Sequence, residues 1–557
     1  MRKQLLWLAL CSGLLLSACA TGRPQAAAPI DTAKACASWR WIGISRPGAQ
    51  CPDVPGWTVR PMFPQLAPVE GEQKCPDDKR PEDVTDSTIL SLSSQRGPVQ
   101  PEPESECPYW PPLKDVPKPE VIRELNRFCV YEIEGWRKFL KKIPLPPAAN
   151  AELVRIDQDC AALSLSERYL DAKSWKTDPD PEKLLAYAGR PSASLRMGDD
   201  ERSVRLAFLD TEPTSEVVPM KQGHSPHGFT LAKLAQELVC SPEPDEQEPY
   251  RRCAAQITTQ LALPILEFNA KYPKGNVTDL VRGGFVGMQS DLAVAIRKEV
   301  QSWLDQRTER SQKHLILNLS LAWDGRYFGG LNGEQIADMQ AGTQAVYRAL
   351  QYAAGFDVLV LAAAGNQKNE PCVNFGPLLP AAWEETPPRE KCCGQPEEKP
   401  VPLVYAVGGV QEDGSPLDNA RPGGMPRRVA YGKTKVFEGS SVATAIVSSI
   451  AAAVWDDDPS LKSWEVMGLL DGVTGAELPR MADFWSSANT PVAPPVRRLS
   501  LCSVLQQPCS PEAFAAPLAG DLHQAGIPKL STKGSCQPWL LPQPDILPCP
   551  ACDPPKN

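Results

Sequence analysis

Between about residues 201 and 478 the apolar positions fall into two alternating textures. Short, mostly apolar runs occur at Val204–Leu209, Leu315–Leu321, Val358–Ala363 and Leu403–Val410, with a strand-like stretch at Gln256–Leu263. Longer stretches between and after them space their apolar residues as a helix does: His227–Val239, Asp291–Gln306, Glu334–Ala354 and Val442–Trp455. In Asp291–Gln306, Leu292, Ala295, Ile296 and Val300 share one stripe. Apolar strands that lack a polar alternation are buried on both faces, and a helix between two strands lets them run parallel. The pattern predicts an α/β unit, a parallel sheet sandwiched by helices.

The texture differs on either side. Residues 19–200 are rich in Pro, Glu and Cys and carry turn signals such as Arg46-Pro47-Gly48 and Pro111-Pro112. Within them Glu120–Leu140 mixes helical and strand-like spacing, Ala151–Tyr169 reads as a helix, and 87–118 reads as a linker. This region is either a cysteine-stapled accessory domain or a propeptide. Residues 479–557 form a second Pro- and Cys-rich flank, so the expected architecture is an α/β core between irregular segments. Proline supplies 59 of 557 residues, about twice average usage. The net charge of -9 argues against a nucleic-acid partner, which would call for a basic surface.

Residues 1–18 carry a basic pair, Arg2-Lys3, and then the apolar run Leu5–Leu16. That run is too short to span a membrane and reads as a secretory signal. It ends in Leu16-Ser17-Ala18-Cys19, which resembles the bacterial lipobox, so Cys19 is the expected lipidation site and membrane anchor. Ala20 after the cysteine, rather than aspartate, points to the outer membrane of a bacterial cell envelope. Setting aside Cys11 and Cys19 leaves sixteen of the 18 cysteines, an even number that fits a disulfide framework in an exported protein. Cys240 and Cys253 bracket a polar loop they could close, and Cys372 could meet Cys392 or Cys393. Cys549-Pro-Ala-Cys552, a lone CxxC, reads as a disulfide rather than a zinc site or a redox pair. Five of the sixteen cysteines fall in 201–478; if all pair, at least one disulfide ties the core to a flank.

The chemistry gathers at the ends of the apolar runs. Asp210 closes the first strand, His227-Gly228 opens the first helix, Gly365-Asn366 follows the strand Val358–Ala363, and Gly439-Ser440-Ser441 opens the most apolar helix. In parallel sheets, sites are built at the carboxyl ends of strands. A serine hydroxyl is a weak nucleophile until an imidazole takes its proton and a carboxylate orients that imidazole, while an amide N–H can hold the oxyanion. Each residue also has a plainer reading: a turn aspartate, a turn asparagine, a serine at a helix start. His224 and Ser440 are local rivals of His227 and Ser441.

Taken in order, these residues resemble the subtilisin-like serine proteases, whose triad order of Asp, His, Ser is familiar. Leu206-Ala-Phe-Leu-Asp210-Thr211 resembles the aspartate strand, His227-Gly-Phe-Thr-Leu-Ala232 the histidine helix, Ala362-Ala-Ala-Gly-Asn366 the oxyanion motif and Gly439-Ser-Ser-Val-Ala443 the nucleophile motif. Ile316-Leu-Asn-Leu-Ser320-Leu321 resembles the strand that binds substrate backbone and lines the main specificity pocket. The resemblance implies a catalytic triad of Asp210, His227 and Ser441, an oxyanion donor at Asn366, substrate-backbone contacts at Ser320 and Leu321, and protein or peptide substrates. It implies no cofactor and no catalytic metal; relatives often hold structural calcium, for which no loop here is diagnostic. Only 17 positions separate Asp210 from His227, so an element is trimmed. Ala322-Trp323 stands where glycines are usual, which would narrow or reshape the pocket; Ser440, Val442 and Ala445 replace Thr, Met and Pro. A second reading keeps the fold without catalysis, as an envelope scaffold or binding lipoprotein whose working parts are the cysteine-rich flanks. An imidazole base must be neutral, so an active enzyme would lose rate as pH falls through the ordinary histidine range near ~6.5.

Overall fold

The computed structural model describes residues 36–64, 117, 119–133, 147, 152–164, 168–169, 203–212, 225–240, 253–271, 277–278, 283–308, 311–325, 335–366, 377–384, 401–411, 417, 419–421, 428–433, 437–472 and 497–499. Among these lie the strands β1 (Cys36–Ser45), β2 (Trp57–Pro61), β3 (Phe128–Ile133), β4 (Leu153–Ser164) and β5 (Arg168–Tyr169), with helix α1 (Pro119–Leu125) before β3. Then follow β6 (Val204–Asp210), α2 (His227–Val239), β7 (Ala255–Leu261), β8 (Ile265–Glu267), β9 (Val277–Thr278), β10 (Val286–Met288), α3 (Gln289–Gln306), β11 (His314–Leu319) and β12 (Leu321–Ala322). The remainder is α4 (Ala341–Ala354), β13 (Leu359–Ala363), β14 (Tyr405–Val410), β15 (Arg428–Tyr431), β16 (Phe437–Glu438), α5 (Ser440–Asp457), α6 (Ser463–Gly472) and β17 (Arg497–Arg498).

Seven strands form the parallel sheet that the apolar runs predict, in the order β17-β15-β14-β13-β11-β6-β7. Successive side chains of a strand point to opposite faces, and both faces here are apolar. Leu206, Phe208, Ile316, Leu359 and Leu361 pack with Leu231 and Leu234 of α2 and with Ile446 and Ile450 of α5. Ala207, Leu209, Leu315, Leu317, Val360 and Ala362 pack on the other side with Leu292 and Ile296 of α3 and Val346 and Leu350 of α4. Each fully buried Leu or Ile contributes about 1.5–3 kcal/mol, so these two layers dominate the stability of the sheet. From β6 the chain steps outward to β7, then returns to place β11 on the other side of β6 and continues away from it. The crevice at such a reversal is where α/β sheets build sites.

The N-terminal flank differs from expectation. Residues 151–169, read as a helix, form β4 and β5 instead, because β4 finds partners along its length: β1 up to Cys160, then β10 on one edge and β12 on the other at Leu163. Local propensity is a weak prior that such pairing overrides. Nor is the flank irregular among its described residues: β2, β3, β1 and β4 form an antiparallel sheet that continues into β10, β8 and β9 of the 201–478 zone. Glu120–Leu140 resolves into α1 and then β3, and Glu334–Ala354 begins as a 3₁₀ turn at Ile336–Asp338 before α4. Cys36–Cys160 and Cys51–Cys129 staple this sheet, and Cys240–Cys253 closes the loop after α2. The other ten cysteines of the expected framework, with Cys19, the signal, residues 87–116 of the linker and all of the C-terminal flank but 497–499, lie outside the described residues.

The sheet docks on the core through charge as well as apolar contact. Asp157 and Asp159, two apart on β4, face the N-termini of two helices: Asp157 accepts the Ala341 N–H of α4 at 2.9 Å, and Asp159 accepts the N–H and hydroxyl of Ser290 in α3. Exposed backbone N–H groups and the helix dipole both favour a carboxylate there. Arg40 of β1 reaches Asp291 at 2.9 Å, Glu132 at 2.7 Å and Asp159 at 3.7 Å. Burial, opposed by Arg40 and the Ser290 hydrogen bonds and reinforced by Asp291, pushes the Asp159 carboxyl up to about 7. A value raised above the usual carboxylate range means that the folded state holds a proton the unfolded chain has shed. The contribution is therefore present at low pH and lost as pH rises through about 7. Raising the pH from 6 to 8 is expected to weaken the fold by about 1 kcal/mol in denaturant titrations, and Asp159→Asn to remove that slope. A slope that survives the substitution would assign it to another group.

Candidate active site

The first strand ends and the first helix begins in one tight junction. Asp210 is the last residue of β6, and its carboxylate accepts the N–H of Thr211 at 2.7 Å while facing His227. Nδ1 of His227 lies 2.8 and 2.9 Å from the two Asp210 oxygens, with both side chains buried. A carboxylate only accepts, so Nδ1 carries the proton and the neutral ring keeps its lone pair on Nε2, the tautomer a base requires. The helix start is held by a second bridge: Gly228 donates its N–H to the Thr211 hydroxyl at 2.9 Å. A side chain at 228 would press within 3.0 Å of Asp210 Cβ and the Glu212 nitrogen, which explains the glycine.

A matching junction joins β13 to α5. Gly365 takes φ +106, a left-handed conformation that favours glycine, and directs Asn366 toward the start of α5. Asn366 Oδ1 accepts both the backbone N–H of Ser440 at 2.9 Å and its hydroxyl at 3.0 Å. Those donors fix the amide orientation, so Nδ2 is the free end, and it is buried with no hydrogen-bond partner. The Ser440 hydroxyl also accepts the Gly365 N–H at 3.1 Å. An unspent donor beside a helix-start serine is the arrangement an oxyanion hole needs.

Ser441 is fully buried as the second residue of α5, and its Oγ has no hydrogen-bond partner in the structure, His227 included. Hydroxyls and their bases often stand apart until substrate closes the site. Ser320, which follows β11, lies 2.8 Å by its hydroxyl from Asn318 Oδ1 and 3.4 Å from the Ser441 carbonyl oxygen. Its side chain therefore faces the core beneath Ser441. Leu321 and Ala322 form β12, whose edge pairs antiparallel with Ser164 and Leu163 of β4. Sequence reasoning gave Ser440 only as a rival nucleophile and passed over Thr211 as a clamp; in both cases the signal was a hydroxyl beside a named site residue. His314 stacks on Trp455 and lies 2.8 Å by Nε2 from the Pro459 carbonyl, a structural role away from the site. His224 and His523 lie outside the described residues.

No protein-family profile and no curated protein sequence matches the chain. Among solved structures it is similar to a serine-to-alanine mutant of the protease domain of PatA, at 19% identity and a TM-score of 0.33, covering 56% of this chain and 97% of that one. It is similar to the prenylagaramide maturation protease PagA at 17% identity and TM-score 0.33, covering 58% and 98%, and to Sphericase at 16% and 0.32, covering 53% and 89%.

The geometry separates two roles at the β13–α5 junction. If the site has the activity that the resemblance implies, Asn366→Ala is expected to lower kcat about 100- to 1000-fold on a peptide substrate with little change in KM. Ser440→Ala, which only frees the amide to turn, is expected to cost less, and Ser440→Thr to restore most of the rate. Equal loss in Ser440→Ala and Ser440→Thr would argue against positioning by this hydroxyl.

Proposed function

We propose that this chain is a lipid-anchored serine endopeptidase of the subtilisin type that hydrolyses peptide bonds in protein substrates. The observation that carries the reading is Asn366, whose amide is oriented by Ser440 so that a buried, unpaired N–H is left beside Ser441, with the Asp210–His227 pair at the same sheet edge. Ser441 Oγ attacks the scissile carbonyl carbon, and His227 Nε2 takes its proton. Asn366 Nδ2 and a backbone N–H hold the oxyanion, and Asp210 stabilises the imidazolium. As the intermediate collapses, His227 returns the proton to the leaving amine, and water then releases the acyl group by the same steps.

The pairing of β12 supports an extended peptide as ligand. β4 runs antiparallel to Leu321–Ala322, and β5 runs antiparallel to Phe437–Glu438, which ends just before the Gly439-Ser440-Ser441 turn. The chain's own N-terminal part thus supplies a partner to β12, which follows Ser320, and another to β16, which precedes Gly439, with three residues of sequence, Leu165 to Glu167, between them. We take residues 19–200 to be an inhibitory N-terminal region rather than an independent accessory domain, so the anchor at Cys19 belongs to the uncut chain and its loss frees the catalytic part from the membrane. The lipobox-like Leu16–Cys19 supports an anchor at Cys19 in the outer membrane of a bacterial cell envelope.

A serine-directed fluorophosphonate tests the catalytic reading on the oxidised full chain. Wild type should label and Ser441→Ala should not. Wild type should also acquire a new N-terminus between residues 164 and 168 that Ser441→Ala lacks. Equal labelling of the two would remove Ser441 from its role. No labelling of a folded wild type that has lost its N-terminal part would favour the scaffold reading, which the missing His227–Ser441 hydrogen bond also suits.

A further inference from the structure

The strand that pairs with β12 carries an unbalanced cluster of charges close to that pairing. Asp159 of β4 is fully buried between the N-terminal sheet and the starts of α3 and α4. Arg40 of β1 approaches it at 3.7 Å, but the same guanidinium holds Asp291 of α3 at 2.9 Å and Glu132 of β3 at 2.7 Å. Ser290 of α3 gives Asp159 a hydroxyl and an N–H, and α4 brings Gly342, where a Cβ would stand 3.3 Å from a carboxylate oxygen of Asp159. Farther out, Arg60 of β2 lies 3.8 Å from Glu132, and Arg155 pairs with Asp157 on β4 itself. Three carboxylates thus share the Arg40 guanidinium. The side chains of Asp291 and Glu132 are 23% and 19% exposed, while that of Asp159 is 0% exposed. A carboxylate with neither water nor a cation of its own is the one that takes a proton.

Cluster and cover are parts of one strand. Cys160, bonded to Cys36, follows Asp159, and the next four residues lie between two edges of the core. Ala161–Leu163 pair with Val286–Met288 of β10, and Leu163–Ser164 pair with Leu321–Ala322 of β12. Asp291 joins the two ends of this arrangement, because its carboxylate accepts the Met288 N–H at 2.9 Å while it binds Arg40. A charge on Asp159 therefore repels the residue that fixes the β10 edge. Both disulfides of the N-terminal sheet are internal to it, and among the described residues none crosses to the core. Once the chain is cut after β4, only noncovalent contacts retain the sheet.

Resting on the protease reading above, we propose that the Asp159 cluster is a latch on the inhibitory N-terminal sheet. With a proton on Asp159 the cut sheet stays over the cleft; with that proton lost it departs, so the enzyme is held inactive in mildly acidic surroundings and set free in alkaline ones. Docked, the carboxyl is pushed up to about 7, chiefly by burial; undocked, it meets water and returns to the ordinary value of about 3.9. The docked form is the one that binds the extra proton, so docking is strongest below about 7 and weakens as pH rises through it. That linkage weakens docking about 10-fold between pH 6 and 8, and about 100-fold between pH 5 and 8. The ordinary histidine range overlaps this one, so the latch is read from binding of the sheet rather than from rate.

The test follows the N-terminal part of the oxidised, self-cut wild type by size-exclusion chromatography at pH values from 5 to 9, with a dissociation constant from dilution at each. The constant should rise about 10-fold from pH 6 to 8 and level off above. Asp159→Asn, which keeps the shape of the protonated group, should hold it near the pH 6 value throughout. Should Asp159→Asn fail to fold, Asp291→Asn takes its place: without that neighbouring charge the midpoint should move to lower pH. A constant that stays level in wild type, one that rises equally in Asp159→Asn, or an unmoved midpoint in Asp291→Asn overturns the latch alone. A wild type that neither labels at Ser441 nor cuts itself overturns the protease reading. Hydrogen exchange on the uncut chain then decides the latch separately. Protection of Ala161–Ser164 and Leu321–Ala322, corrected for intrinsic rate, should fall about 10-fold from pH 6 to 8 in wild type and not in Asp159→Asn. Unchanged protection in wild type overturns the latch as well.

Discussion

The structure depends on burying one helix on every side. From Ser440 to Trp455 each residue of α5 is buried, against strands β6, β11, β13, β14 and β15 and against α2. A helix apolar all round is stable only inside a core, and this one has no exposed face on which to rotate or slide. Apart from Ser441, several of its polar residues find partners: Thr444 and Ser449 return their hydroxyl protons to carbonyls four residues earlier, and Ser448 accepts from Asn318 of β11. The position of Ser441 is therefore set by the packing of the whole helix. Catalytic geometry of a few tenths of an ångström needs such a foundation, because a loop could not hold it.

Around that helix the site is assembled from junctions rather than from single residues. The β6–α2 junction couples Asp210, Thr211, His227 and Gly228, and the β13–α5 junction couples Gly365, Asn366 and Ser440. In each, one glycine permits a close approach and one hydroxyl spans the gap. The buried pairs of the outer layers serve the same strands from behind. Arg205 of β6 contacts Glu299 of α3 at 2.6 Å with both side chains 2% exposed, fixing the strand that carries Asp210 against its covering helix. Losing either partner of such a pair typically costs about 3–5 kcal/mol, because the other charge is left buried.

The N-terminal sheet adds a different kind of constraint. Its aspartates meet the dipoles of α3 and α4, and its last strand covers β12, the edge beside the candidate nucleophile. Docking and obstruction are thus properties of one strand: β4 carries Asp157 and Asp159 at its middle and the β12 pairing at its end. Whatever weakens the carboxylate contacts also loosens the cover over the site. Both disulfides of the sheet lie within it, and among the described residues none joins it to the core.

Much of this was legible in the chain alone. Uninterrupted apolar runs allow only strands buried on both faces, so β6, β11, β13 and β14 and the helices between them could be read to within a few residues. Asp210, His227, Asn366 and Ser441 stood out because each sits where an apolar run ends, the place where parallel sheets turn polar groups to the surface. What sequence could not decide was everything that depends on a distant partner. Leu153–Ser164 has no clear strand period of its own and becomes β4 by pairing with β1, β10 and β12. Ser440 looked like a spare nucleophile until Asn366 and Gly365 came within reach of its hydroxyl. Leu378, which belongs to no motif, packs on Ala322 and Ala363 because its N–H bonds the Ala364 carbonyl. Periodicity records which faces a segment must bury, because burial follows from the segment's own composition. It does not record which segments meet, because that is settled by packing and hydrogen bonding summed over the whole chain.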